Sequence, residues 1–166
     1  NNPNSLDHMK LYYSQSLFIL LNLPKGGTFV AKYFFPIVSN LEISILYLYY
    51  EHFDEVIFYK PLQNYQSREF YIIGKKYTPV STSLQKKLIE FHKKMKKESI
   101  FIKDFPENFL LQLLHIQKIL SNNWIKYIDR QIFYSDHYED MTEKDKKIIK
   151  LYIQKKNTEW LKRFRL

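Results

Sequence analysis

The sequence predicts an α/β segment followed by an all-α, basic one. Three observations carry this reading. Helical and strand periodicities alternate through the first 77 residues and give way to helical periodicity alone after Pro79. All three glycines, Gly26, Gly27 and Gly74, fall in the first segment. The charge also changes at Thr78-Pro79: residues 1–77 carry a net +1 and residues 78–166 a net +8, within a total of +9.

The elements follow in order. Apolar residues at 9, 12, 13, 17, 20 and 21 recur at helical spacing from Ser5, and Pro24 disfavours helix at the residue before it, so the first helix ends near Asn22. Lys25-Gly26-Gly27 makes a turn. Residues 28–35 are β-branched and aromatic with apolar residues on both faces, which predicts a buried central strand. Pro36 opens a helix over 37–52. Residues 55–59 form a second strand stopped by Lys60-Pro61, and 62–67 a polar loop. Residues 68–73 form a third strand that Gly74 closes. A helix between the first two strands predicts a parallel crossover, and a short loop between the last two predicts an antiparallel hairpin at the end of the sheet. Beyond Pro79, Ser81 or Ser83 caps a helix to about Lys97, Asp104 and Pro106 start a second, Asn123 a third, and Thr142 with Asp145 a fourth.

Composition excludes several classes. Hydrophobic residues at 45% and aromatics at 17% exclude wholesale disorder. With no cysteine there is no disulfide, thiolate metal site or thiol nucleophile. An intracellular, cytoplasmic location is expected. The longest apolar runs, 16–23 and 43–50, fall short of the ~20 residues that span a bilayer, so no membrane role is expected. The five histidines show no metal-ligating spacing, and no metal is expected. The opening Asn-Asn-Pro-Asn-Ser is polar and has no initiator Met, and the chain is expected to belong to something longer. The basic second segment, with lysines at 86, 87, 93, 94, 96 and 97, suits an anionic partner, RNA above all; a solvated lysine-rich surface accounts for the same residues.

Two charges stand out. Lys32 lies toward the end of an otherwise apolar strand, and Glu69 at the start of another that runs the other way. If these strands are neighbours, both side chains share the carboxyl edge of the sheet, where open α/β sheets bind ligands. A half-buried lysine oriented by a carboxylate is a candidate general base, because burial favours its neutral form. A structural Lys–Glu pair accounts for the same spacing.

Three motifs in order, Gly-Gly-x-Phe-Val-x-Lys at 26–32, Lys-Pro at 60–61 and Ser-Arg-Glu-x-Tyr at 67–71, resemble the C-terminal half of the FtsJ/RrmJ-like ribose 2′-O-methyltransferases, a family that includes cap-specific mRNA enzymes. The matched region is about residues 5–77. The resemblance implies the C-terminal half of a Rossmann-like methyltransferase sheet, a parallel strand plus an antiparallel edge hairpin, with residues 78–166 as a helical basic extension. It implies Lys32 as the base that deprotonates the ribose 2′-hydroxyl, Glu69 as its support, and Lys60, Ser67 and Arg68 as residues of the RNA-binding edge. It implies S-adenosylmethionine as donor and RNA, capped mRNA, as substrate. The family's first lysine, its Gly-rich donor loop and its tetrad aspartate precede the matched region. Gly26-Gly27 is not that loop, because it leads into a strand instead of following one. The chain alone is therefore expected to be inactive without a donor-binding N-terminal half or partner subunit. The alternative expectation is a non-catalytic RNA-binding or docking module of a larger capping or transcription assembly.

Overall fold

In the computed structural model, residues 6–61, 67–95, 102 and 104–164 are described. Residues 62–66 of the expected polar loop and the lysines at 96 and 97 lie outside them. The element order is α1 (Leu6–Asn22), β1 (Phe29–Phe34), α2 (Asn40–His52), β2 (Phe53–Tyr59), β3 (Glu69–Tyr77), α3 (Thr82–Lys94), α4 (Glu107–His137) and α5 (Glu143–Phe164). The fold is mixed α/β, with a small antiparallel sheet. Its compact units are Asn1–Ile125 and Lys126–Leu166, and α4 passes from one to the other. Division by compactness thus falls later than the division by charge at Thr78: α3 and the first part of α4 belong with the sheet.

The sheet order is β1-β3-β2, and β3 is antiparallel to both neighbours. β1 and β2 therefore run parallel, as the intervening helix requires, but they do not touch. The antiparallel β2–β3 hairpin ends the sheet as expected, with β2 outermost and β3 returning between β1 and β2. β1 is correspondingly an edge strand and not a central one. Its burial alternates: Phe29, Ala31 and Tyr33 are buried, whereas Val30 is 61% exposed and Lys32 also points outward. The inner face meets the helical layer, and Val30, Lys32 and Phe34 share the outer face with Tyr71 and Ile73.

α2 begins at Asn40, three residues later than Pro36 suggests. Ser39 and Glu42 form a capping box: Ser39 Oγ accepts the Glu42 N–H at 3.2 Å, and a Glu42 carboxylate oxygen accepts the Ser39 N–H at 3.0 Å. β3 continues past Gly74 to Tyr77. A Cβ at Gly74 would lie 2.2 Å from the Phe29 ring, so the glycine admits close ring packing and does not end the strand. Residues 107–137 form one helix where two were expected, because Ser121-Asn122-Asn123 lowers helix propensity without supplying a Pro or Gly break.

The core joins the sheet to the helices through buried hydroxyls. Tyr49 donates to Ser16 Oγ at 2.7 Å, Ser16 donates to the Tyr12 carbonyl at 2.7 Å, and Tyr33 lies 3.1 Å from Ser16 Oγ. This chain ties α1, β1 and α2 together, and burial raises its cost of disruption. Tyr13 donates to the Leu88 carbonyl and so anchors α3 on α1. Gln117 of α4 accepts the Ile37 N–H at 2.9 Å, and Phe109 packs edge-on against Tyr47 of α2. Taken by itself, the Lys126–Leu166 unit leaves Ile132, Phe133, Ile148, Leu151, Tyr152 and Ile153 each at least half exposed.

Candidate active site

The carboxyl ends of β1 and β2 and the start of β3 meet at one edge. In the β1–β3 ladder Lys32 sits opposite Tyr71 and Phe34 opposite Glu69, so Lys32 and Glu69 are diagonal neighbours on the outer face. The Lys32 ammonium is 3.5 Å from a Glu69 carboxylate oxygen. The lysine side chain is 51% exposed and the glutamate 16% exposed, so the carboxylate is held and the amine is presented outward. Lys32 Nζ also lies 5.5 Å from the centre of the Phe34 ring.

Tyr71 completes the cluster. Its hydroxyl donates to the other Glu69 oxygen at 2.5 Å. That hydrogen bond is the main reason the Glu69 carboxyl lies below the usual glutamate range. Desolvation opposes the shift, while the charges of Lys32 and then Lys60 reinforce it. The Tyr71 phenol is pushed up in return. Tyr71 ends the Ser-Arg-Glu-x-Tyr motif and joins the site beyond the residues that the motif singles out. The available signal was strand periodicity, since residues two apart share a face.

Lys60, Ser67 and Arg68 gather at the same edge, where the side chains of Lys60 and Ser67 are engaged with backbone. Lys60 Nζ donates to the carbonyls of Ser67 and Glu69 and lies 5.7 Å from the Phe35 ring centre. Burial draws the Lys60 ammonium below the ordinary lysine range, against the pull of Glu69. Ser67 Oγ accepts the Glu69 N–H at 2.9 Å. The Arg68 carbonyl accepts the Phe35 N–H at 3.0 Å, and the Arg68 side chain is partly exposed. Nearby, desolvation pushes the Tyr12 phenol up to about 12, with the charge of Glu42 adding to the shift.

The glycine pair does not fit a donor cradle. The Gly26 N–H is bonded to the Tyr77 carbonyl and the Gly27 N–H to the Pro24 carbonyl. Gly26 takes a positive φ of 78°, as its turn requires. This turn sits beside the end of β3, away from Lys32. Among the described residues no group of three or more acidic or histidine side chains is placed to hold a metal ion, and no helix is long and apolar enough to cross a membrane.

No family model matches the chain. Over 140 residues it is 32% identical to an uncharacterized protein of Acanthamoeba polyphaga mimivirus, a match that covers 80% of this chain and 18% of that protein. The chain thus spans a minor part of a much longer relative.

Proposed function

We propose that this chain is the C-terminal part of an S-adenosylmethionine-dependent RNA ribose 2′-O-methyltransferase directed to the mRNA cap and acting in the cytoplasm. The observation that carries the reading is the Lys32–Glu69 pair on the outer face at the carboxyl end of β1. A ribose 2′-hydroxyl is a weak nucleophile until a base takes its proton. Lys32 is that base, and Glu69, held by Tyr71, aims the amine and stabilises the ammonium formed. S-adenosylmethionine, held by segments beyond residues 1–166, supplies the methyl group as a sulfonium. The strand order supports the reading: two parallel strands flank an antiparallel one, so the charged ends converge on one edge.

A second reading, a non-catalytic RNA-binding or docking module, draws on the exposed apolar side chains of α4 and α5. One experiment separates the two. Purified residues 1–166 are expected to transfer no labelled methyl group to capped RNA, and the longer parent protein is expected to do so. Replacing Lys32 by Ala in the parent should cost about 100-fold or more in rate with the fold intact, the usual worth of a positioned base. A parent that never transfers methyl groups favours the module.

A further inference from the structure

Three consecutive carbonyls enter β3, those of Ser67, Arg68 and Glu69, and each has a partner. Arg68 is bonded by the Phe35 N–H, while Ser67 and Glu69 are both bonded by the one ammonium of Lys60. The Glu69 N–H is meanwhile bonded to Ser67 Oγ. The Lys60 side chain thus reaches from the end of β2 to the start of β3 and closes the mouth of the hairpin, with its charge beside the Phe35 ring. An ammonium has three N–H donors. Two are directed at carbonyls and the ring lies close by, so little of this group is left for a ligand phosphate.

We infer that Lys60 is a positioning residue: it clamps the Ser67–Glu69 backbone so that the Glu69 carboxylate is delivered to Lys32, and it does not bind RNA. The inference deepens the methyltransferase reading in its consequence for catalysis. The clamp itself stands on the hydrogen bonds alone. Removal of the ammonium leaves two partly buried carbonyls unpaired, and the start of β3 then moves independently of β1. The damage is local, because the β1–β3 and β2–β3 ladders farther along are bonded without Lys60.

The test uses Lys60→Met, which keeps the length of the side chain and removes its donors. In the 166-residue chain, amide hydrogen exchange at Phe35 and Glu69 should accelerate about tenfold or more, while Tyr33 and Ile72 stay protected. The Glu69 carboxyl titration, followed by NMR, should move upward as a neighbouring positive charge is lost. In the methyl-transferring parent, kcat should fall about tenfold or more with KM for RNA within about twofold. Unchanged exchange and titration would overturn the clamp whether or not the parent methylates RNA. A raised KM with unchanged kcat, and a shallower salt dependence of binding, would make Lys60 an RNA contact instead. If the parent has no activity, the functional reading fails and the exchange data alone decide the clamp. Should Lys60→Met loosen amides throughout the sheet, Lys60→Gln, which keeps a neutral donor, should accelerate Phe35 and Glu69 less than Lys60→Met and leave Tyr33 and Ile72 protected; equal loosening by both variants would overturn the clamp.

Discussion

At the residue scale, Glu69 is the hub. It receives Tyr71 on one oxygen and Lys32 on the other, at 2.5 and 3.5 Å. Its carboxyl is depressed in the folded chain, so the interaction is present above the ordinary glutamate value of about 4.3 and is lost as pH falls through the lower folded value. Tyr71→Phe removes the largest cause of that depression. Its Glu69 titration should move up toward the ordinary value, read from the carboxyl carbon by NMR; an unmoved titration would show that the Tyr71 bond does not hold the carboxylate. Lys32 and Glu69 were legible in the sequence because a charge at the end of an apolar strand is conspicuous. Tyr71 was not, since a tyrosine in a strand reads as ordinary packing. The engagement of Lys60 was hidden as well: which carbonyls a lysine meets depends on how the hairpin closes, and side-chain type carries no record of that.

At the element scale, the helix and strand order was largely readable from periodicity, whereas the place of each strand in the sheet was not. Edge and centre are set by pairing between distant strands, whereas residue pattern reports only local preference. β1 is apolar at nearly every position and so reads as central, yet β3 takes the middle. Gly74 reads as a stop, yet it lies inside β3 where the rings of Phe29 and Phe53 close over it. Gly74→Ala is therefore expected to destabilise the chain by about 1–3 kcal/mol through overpacking, measured by urea denaturation. A neutral or stabilising effect would mean that both rings move aside freely. The start of α2 was missed by three residues because the Ser39–Glu42 capping box outweighs the proline signal.

At the scale of the whole molecule, the sheet unit is held by buried tyrosines. Tyr33 and Tyr49 share hydrogen bonds with Ser16, and burial pushes both phenols up, Tyr49 to about 12. An unfolded tyrosine ionises near 10. The stabilisation from keeping these phenols neutral is thus fully present below about pH 10 and lost as pH rises toward about 12. Circular dichroism and phenolate absorbance should show the late-titrating tyrosines ionising together with unfolding. A single tyrosine titration near 10 without unfolding would contradict this. The charge division, near neutral before Thr78 and strongly positive after it, remains a property of the sequence that the compact units do not follow.

On the proposed reading, Lys32 serves ribose chemistry at the carboxyl edge of β1. This role is read out by nuclease digestion and mass spectrometry of capped RNA incubated with S-adenosylmethionine and the parent protein, wild type or Lys32→Ala. A 2′-O-methylated nucleoside is expected with the wild type, and its near-complete loss with the variant. Methylation on a base, or an undiminished 2′-O-methyl product from Lys32→Ala, would contradict it.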